Sequence, residues 1–294
     1  MKNERDRAGA DTAAAVRAYY DSNTRLFLRL GIGRRTLAMR RAVWANGVRS
    51  LEEAVNHVNS LIAAEASARA AAAKEAELRI LDIGCGVGGS LFFLASTVHT
   101  ALRGIGVTIS PRQAQIASRQ ARLRGLQVKC SFVAGDFTRV TGLSPFHLAF
   151  AIESFVHFTS PAAFFAAAAG SLDPGGCLII VDDFLSGNRH SRMERRTVEA
   201  FRQGWILSSL CTVQLAVQTA EACGLRLVED RDLSAFLSQF PLGARMGHWA
   251  VSMMRAIPAP WQYWRSSVGS LAQAACRRAG LVEYHFLVFE KQRA

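Results

Sequence analysis

The stretch Ile80-Leu81-Asp82-Ile83-Gly84-Cys85-Gly86-Val87-Gly88-Gly89-Ser90 constrains this chain more than any other. An apolar run reads as a buried strand, ends near an acid and breaks into a glycine-rich turn. Beyond the turn, Ser90-Leu91-Phe92-Phe93-Leu94-Ala95-Ser96 reads as a helix with Ser90 placed to cap it. Glycines let backbone N–H groups approach a ligand, and a helix N-terminus favours a carboxylate or phosphate.

The glycine spacing is Gly-x-Gly-x-Gly, not the Gly-x-Gly-x-x-Gly of dinucleotide sites. A nicotinamide site would also want an acid about twenty residues on. No Asp or Glu lies between Asp82 and Asp136, and no Gly-Lys-Ser/Thr phosphate loop occurs. What remains is an acid before the turn and helix amides after it. That pair suits an amino-acid moiety, with Asp82 near its ammonium and the helix end near its carboxylate. S-adenosylmethionine carries such a moiety on a nucleoside. A turn that only packs strand on helix would use the same glycines.

The pattern around this turn alternates strand and helix, as in a doubly wound parallel sheet. Strands are expected at Arg79–Gly84, Gly104–Ile109, Val128–Ala134, Phe146–Ile152, Cys177–Val181, Leu225–Glu229 and Glu283–Lys291. Ser110 and Pro111 mark a helix start, and Pro161 to Leu172 another helix, closed by the turn Asp173-Pro174-Gly175-Gly176. Residues 189–223 read as one long helical segment, and 234–280 as a helical insertion rich in Trp, Met and Phe. Ahead of the sheet, residues 1–11 read as a solvated tail. Helix is expected from Asp11, interrupted by a polar turn at Asp21–Thr24, and again over Leu37–Trp44 and from Ser50 to near Leu78. Residues 1–78 are thus expected to form a helical arm, and 79–294 a core with a cap at about 186–223 and 234–280.

In open sheets of this kind ligands sit outside the carboxyl ends of the strands. Those ends carry Asp82, Thr108-Ile109-Ser110, Gly135-Asp136-Phe137, Glu153 and Asp182-Asp183. One aromatic in a polar rim suits a nucleoside: Asp136 for an adenine amino group, Phe137 for the ring face. Asp136 capping the following turn is the plainer alternative.

The 294 residues carry a formal charge of +12, but only four of the 35 basic residues are lysines and they form no blocks. An Arg- and Ala-rich balance of this kind matches a GC-rich genome, and nucleic-acid binding is not expected. The charged opening Met1–Asp6 is unlike a secretory signal, and no apolar run reaches the about 18 residues of a membrane span. Six cysteines without a Cys-x-x-Cys pair fit a reducing cytoplasm.

Leu81-Asp82-Ile83-Gly84-Cys85-Gly86-Val87-Gly88-Gly89, followed about fifty residues on by Gly135-Asp136-Phe137, resembles the seven-strand Rossmann-like S-adenosylmethionine-dependent methyltransferases over residues 79–185 and 284–291. Where that superfamily commonly ends its second strand in an acid, this chain has Thr108. Gly106-Val107-Thr108-Ile109-Ser110 with Gln113 looks like the sterol, tocopherol and cyclopropane-lipid C-methyltransferase branch. The resemblance implies that Thr108, Ile109 and Gln113 take over ribose and adenine contacts, beside Asp82, Gly84, Gly86, Gly135, Asp136, Phe137 and Glu153. Glu153-Ser154-Phe155-Val156-His157 is similar to the branch's Glu-Ser-x-x-His segment, and Tyr19-Tyr20-Asp21-x-x-Thr24-x-x-Phe27 to its aromatic segment ahead of the core. Bacterial relatives of this shape methylate prenyl chains, as isoprenyl diphosphates or on terpenoid-indole products such as the teleocidins.

The resemblance implies methylation of an alkene, leaving a carbocation that needs dry walls, π faces or carboxylates, and a base. Glu153 and His157, four apart on a helical turn, are the expected catalytic pair. Tyr19, Tyr20, Phe155 and His157 are expected to meet substrate, with one or two of Trp205, Trp249, Trp261, Tyr263 and Trp264 from the cap. No metal is expected, and a long helical arm with exposed aromatics points to a homo-oligomer. Rival readings are an O- or N-methyltransferase, a metal-assisted catechol enzyme, a nucleic-acid methyltransferase and a non-catalytic binder of the cofactor. The nucleic-acid reading lacks an Asn/Asp-Pro-Pro-Tyr/Phe segment after strand four.

Overall fold

The computed structural model describes residues 2–29, 36–38, 40–73, 76–140, 142–143, 145–188, 190–238, 244–256 and 262–293. A seven-stranded sheet in the order β3-β2-β1-β4-β5-β7-β6 forms its centre. Its strands are β1 (Glu77–Ile83), β2 (Ala101–Thr108), β3 (Cys130–Ala134), β4 (Phe146–Ile152), β5 (Leu172–Leu185), β6 (Leu225–Asp232) and β7 (Val282–Lys291). β1 to β5 pair in parallel, and β7 runs antiparallel between β5 and β6. The fold is the α/β, Rossmann-like methyltransferase architecture. Its switch point lies where the chain leaves β3 and returns beside β1 as β4.

Side chains alternate across the sheet, so each strand feeds two cores. Ile80, Leu148, Ile179, Phe286 and Val288 face helices α2 (Leu51–Ala73), α3 (Gly89–Thr97) and α4 (Pro111–Leu123). Leu81, Ala149, Ile180, Leu287 and Phe289 face α5 (Pro161–Ser171) and α7 (Val213–Glu221). A third cluster ties α6 (Arg192–Trp205), α8 (Ala244–Ala256) and α9 (Gln262–Arg278) together through Val198, Phe201, Val251, Val268 and Ala272. None of the described helices is long and apolar enough to cross a membrane.

Several local expectations give way. The N-terminal segment is one continuous helix, α1 (Lys2–Arg29), with neither a tail at 1–11 nor a turn at Asp21–Thr24. Its polar residues have partners on α4 or within the helix: the Ser110 hydroxyl bonds the Asp21 carboxylate, and Arg112 Nη1 donates to the Asp21 carbonyl at 2.8 Å. Beyond Leu37, which is left-handed, residues 40–45 are not helical, and Val43 bridges Leu237. Ser90 does not cap α3; the left-handed Gly88 does, without a side-chain bond. Asp173–Gly176 belongs to β5, entered through a register shift against β4. The 189–223 segment splits where Ile206 turns left-handed after α6. Ser110 caps α4 as expected, accepting from the Gln113 amide at 3.1 Å.

Candidate active site

The C-terminal ends of β1 to β5 open onto one cavity of about 1060 Å³, whose walls include Asp82, Thr108, Asp136, Glu153 and Asp182. Its lining is also apolar and aromatic in part, with Val16, Tyr20, Val156, Phe201, Trp205 and Leu207. Of these, Val16 and Tyr20 come from α1.

The floor is the glycine turn. Gly84 has φ +83°, and a Cβ there would lie 2.3 Å from Ser154 Cβ, so only glycine fits. Ser154 in turn donates to the Ile83 carbonyl at 2.6 Å, fastening the β4 end to the β1 end. Asp82 is almost fully buried; its Oδ2 has no partner among the described residues, and burial pushes its carboxyl up to about 8. Thr108 Oγ1 donates to Gln113 Oε1 at 2.7 Å, and Gln113 Nε2 donates to Thr24 Oγ1 at 3.2 Å. Gly86, Ile109, Gln113, Gly135 and Phe137 also line the cavity. Asp136 caps the following turn, its Oδ1 accepting from the Thr138 amide at 3.0 Å, and it also lines the cavity.

Glu153 and His157 do not share a helical face. Glu153 is left-handed at φ 49°, and His157 ends a single 3₁₀ turn, Phe155–His157. Glu153 Oε1 accepts from Arg41 N (3.0 Å), Arg41 Nε (3.1 Å) and the Tyr284 hydroxyl (3.0 Å). Burial favours its neutral form, but Arg41 more than offsets this and holds the carboxyl below its ordinary value. Arg41 Nη1 also donates to Asp183 Oδ1 at 2.7 Å, while Gln273 Nε2 donates to Asp183 Oδ2 at 2.8 Å. Asp182, beside this network, is pushed well up by burial and then by Asp183.

His157 Nδ1 lies 3.2 Å from the Ile206 carbonyl and Nε2 3.0 Å from the Tyr20 hydroxyl. The carbonyl only accepts, so the neutral ring carries its proton on Nδ1 and takes the Tyr20 hydroxyl proton in a hydrogen bond at Nε2. Burial lowers the His157 pKa and raises that of Tyr20, leaving both neutral near pH 7.

Two expected substrate residues are misplaced. Phe155 is fully buried against Phe164, Phe165 and Phe184, because the 3₁₀ turn points it back into the sheet core. Tyr19 is buried behind Tyr20, packs on Trp205 and accepts from Ser266 Oγ at 3.2 Å, outside the cavity lining. Trp205 lines the cavity, Trp264 packs into the cap and Trp249 is exposed. Trp261 and the Tyr263 side chain lie outside the described residues. Sequence reasoning missed Arg40, Arg41, Gln273 and Tyr284. The signal for the first two was an arginine pair in a segment expected to be helical.

The fold is that of S-adenosylmethionine-dependent methyltransferases, and residues 80–176 match the methyltransferase domain family. The chain is 34% identical over 140 residues to erythromycin 3''-O-methyltransferase of Saccharopolyspora erythraea, covering 47% of this chain and 44% of that one. It is 26% identical over 220 residues to 24-methylenesterol C-methyltransferase 2 of Arabidopsis thaliana, 72% of this chain and 56% of that one. The chain thus spans about half the length of the curated relatives it matches. Among solved structures, geranyl diphosphate C-methyltransferase of Streptomyces coelicolor superposes with a TM-score of 0.66 at 14% identity, over 95% of this chain and 97% of that one.

The cofactor is S-adenosylmethionine, and the residues present fit it. The buried Asp82 Oδ2, without a partner among the described residues, lines the same cavity as a turn that only glycine can make, and Phe137 lines it too.

Proposed function

We propose that this protein is an S-adenosylmethionine-dependent C-methyltransferase acting on an olefinic prenyl or terpenoid group of a bacterial natural product. The observation that carries the reading is the mixed lining of one large cavity. Pockets for one drug-sized ligand span about 300–1,000 Å³. At about 1060 Å³, lined by strand-end acids together with Tyr20, Phe201, Trp205 and Leu207, this one suits an apolar acceptor beside the nucleoside. The likeness to a methylenesterol C-methyltransferase and the shared fold with a geranyl diphosphate C-methyltransferase support the same choice.

When bound, S-adenosylmethionine supplies an electrophilic methyl group. Asp82 and the glycine turn would hold its amino-acid end, and Asp136, Phe137 and Thr108 its nucleoside. Val16, Phe201, Trp205 and Leu207 exclude water from the acceptor. Methylation of the alkene, with S-adenosylhomocysteine as the leaving thioether, would give a substrate cation stabilised by the Tyr20 and Trp205 rings and by the carboxylates lining the cavity. The cation then loses a proton to the Tyr20 oxygen as the Tyr20 proton passes to His157 Nε2; the C–H electron pair closes the new double bond. Glu153, engaged by Arg41 and Tyr284, steadies this wall rather than moving protons. Of the cations on the wall, Arg41 is committed to two carboxylates and Arg139 pairs with Asp136, and the one Arg40 nitrogen unmet among the described residues lies beside the glycine turn and the first turn of α3, at the cofactor end. An uncharged prenylated scaffold therefore matches the cavity better than a free diphosphate.

The likeness to an O-methyltransferase favours a second reading, transfer to a hydroxyl with His157 as base. Incubation with labelled cofactor and three acceptors, geranyl diphosphate, a prenylated indole and a simple phenol, separates the two. Label in the prenyl chain is expected. Label in the phenol alone overturns carbon methylation.

A further inference from the structure

We infer that Arg40 binds the carboxylate of the cofactor, so that the amino-acid end is clamped between an acid from the sheet and a base from the segment joining α1 to α2. The inference rests on reading the cavity as an S-adenosylmethionine site.

Arg40 is anchored twice. Its Nε donates to the Val55 carbonyl at 3.0 Å and its Nη1 to Ser90 Oγ at 2.6 Å. A guanidinium is planar, so these two bonds fix the direction of its remaining nitrogen. That nitrogen, Nη2, is buried without a hydrogen-bond partner among the described residues, while Arg40 lines the cavity. A buried donor left unmet is costly, more so on a charged group. On the same cavity wall Asp82 Oδ2 is also buried and unmet. An unmet acid and an unmet base on one wall suit a zwitterion, its ammonium to Asp82 and its carboxylate to Arg40.

The anchors place this charge well. Ser90 lies in the first turn of α3, the end of a helix that favours an anion. The segment carrying Arg40 crosses there at close range: a Cβ on Gly89 would lie 2.7 Å from the Thr36 carbonyl oxygen. The next residue, Arg41, turns to Glu153 and Asp183, so two neighbouring arginines pin one segment to two walls of the cavity. The glycine turn is therefore an incomplete cofactor site without Arg40 and the backbone of Thr36 and Leu37 that packs on it.

Calorimetry with two ligands tests this. S-adenosylhomocysteine carries the amino-acid end; 5′-methylthioadenosine has the nucleoside and sulfur without it. For Arg40→Met, S-adenosylhomocysteine affinity is expected to fall at least about tenfold, the scale of a lost charge-assisted bond. Methylthioadenosine affinity stays within about twofold of wild type. Arg40→Lys, which keeps the charge but not the fork, is expected to show the same selectivity with a smaller loss, and serves as the test if Arg40→Met does not fold. Equal weakening of both ligands, or of neither, overturns the Arg40 assignment. Wild-type protein that binds neither ligand overturns the reading of the cavity itself.

Discussion

His157 is held neutral by burial, and this has consequences that can be measured. The unfolded chain takes up its proton near the ordinary pKa of about 6.5, whereas the folded chain resists it to lower pH. The His157 contribution to stability is therefore full above about pH 6.5 and declines as the pH falls toward the folded value. His157→Gln is expected to flatten the acid side of the melting-temperature profile and to cut turnover by about 10²-fold or more. Wild-type turnover in that variant would remove His157 from the proton path. Asp82 has the opposite sign. Its folded carboxyl titrates at about 8 against an ordinary 3.8, so the cofactor-free protein loses stability as the pH rises through that window. Asp82→Asn is expected to raise the melting point of cofactor-free protein at pH 8 by about 3 °C or more while weakening S-adenosylhomocysteine binding at least about tenfold. A variant that loses stability without losing affinity would make Asp82 a structural acid. Asp82 and Asp136 were legible because a glycine turn and a strand end advertise them. Arg40 and Arg41 were not, because the side chains they bind, Ser90, Glu153 and Asp183, lie 50 to 142 residues away in sequence.

At the scale of elements, the same polar residues explain both a misreading and a docking surface. Asp21, Asn23 and Thr24 look like a turn in sequence because such side chains compete for backbone hydrogen bonds. Here the helix continues. Asn23 and Thr24 donate to carbonyls one turn back, Tyr19 and Tyr20, and Asp21 and Thr24 also accept from α4. Through these bonds α1 is registered on Ser110, Arg112 and Gln113, next to the wall that Thr108 and Ile109 give the cavity. Asp21→Ala should release that register. It is expected to lower kcat/KM by about tenfold, with the main melting transition lowered by only about 1 kcal/mol, the worth of a partly exposed polar contact. Unchanged kcat/KM would show that α1 needs no such anchor. The sheet itself was readable from alternation, since Phe146–Ile152 and most other strands have apolar residues serving two cores. The early start of β5 was not, because Asp173-Pro174-Gly175-Gly176 carries every mark of a turn and lies in the register shift between the Leu172 and Cys177 pairings with β4.

In the whole molecule, the cofactor half and the acceptor half of the cavity are built from different parts of the chain. Asp82, Gly84 and Asp136 stand on the sheet, whose two faces are filled by large apolar clusters in which Leu28 is the contribution of α1 among the described side chains. Tyr20 and Val16 come from α1, and Phe201 and Trp205 from a separate cap cluster that reaches the site through Val156. Arg40 lies after α1, tied to α2 and α3. The two halves should therefore come apart in a truncation. Removing residues 1–30 is expected to leave a cooperative melt and S-adenosylhomocysteine binding within about tenfold of the full chain, since every proposed cofactor contact except the Thr24 bond to Gln113 remains. Methyl transfer should fall below detection, because Tyr20, half of the proton path and part of the roof, is gone. Turnover surviving in the truncated protein would place the acceptor elsewhere in the cavity. Loss of cofactor binding along with turnover would mean that α1 holds the 36–41 segment, and with it Arg40, in place.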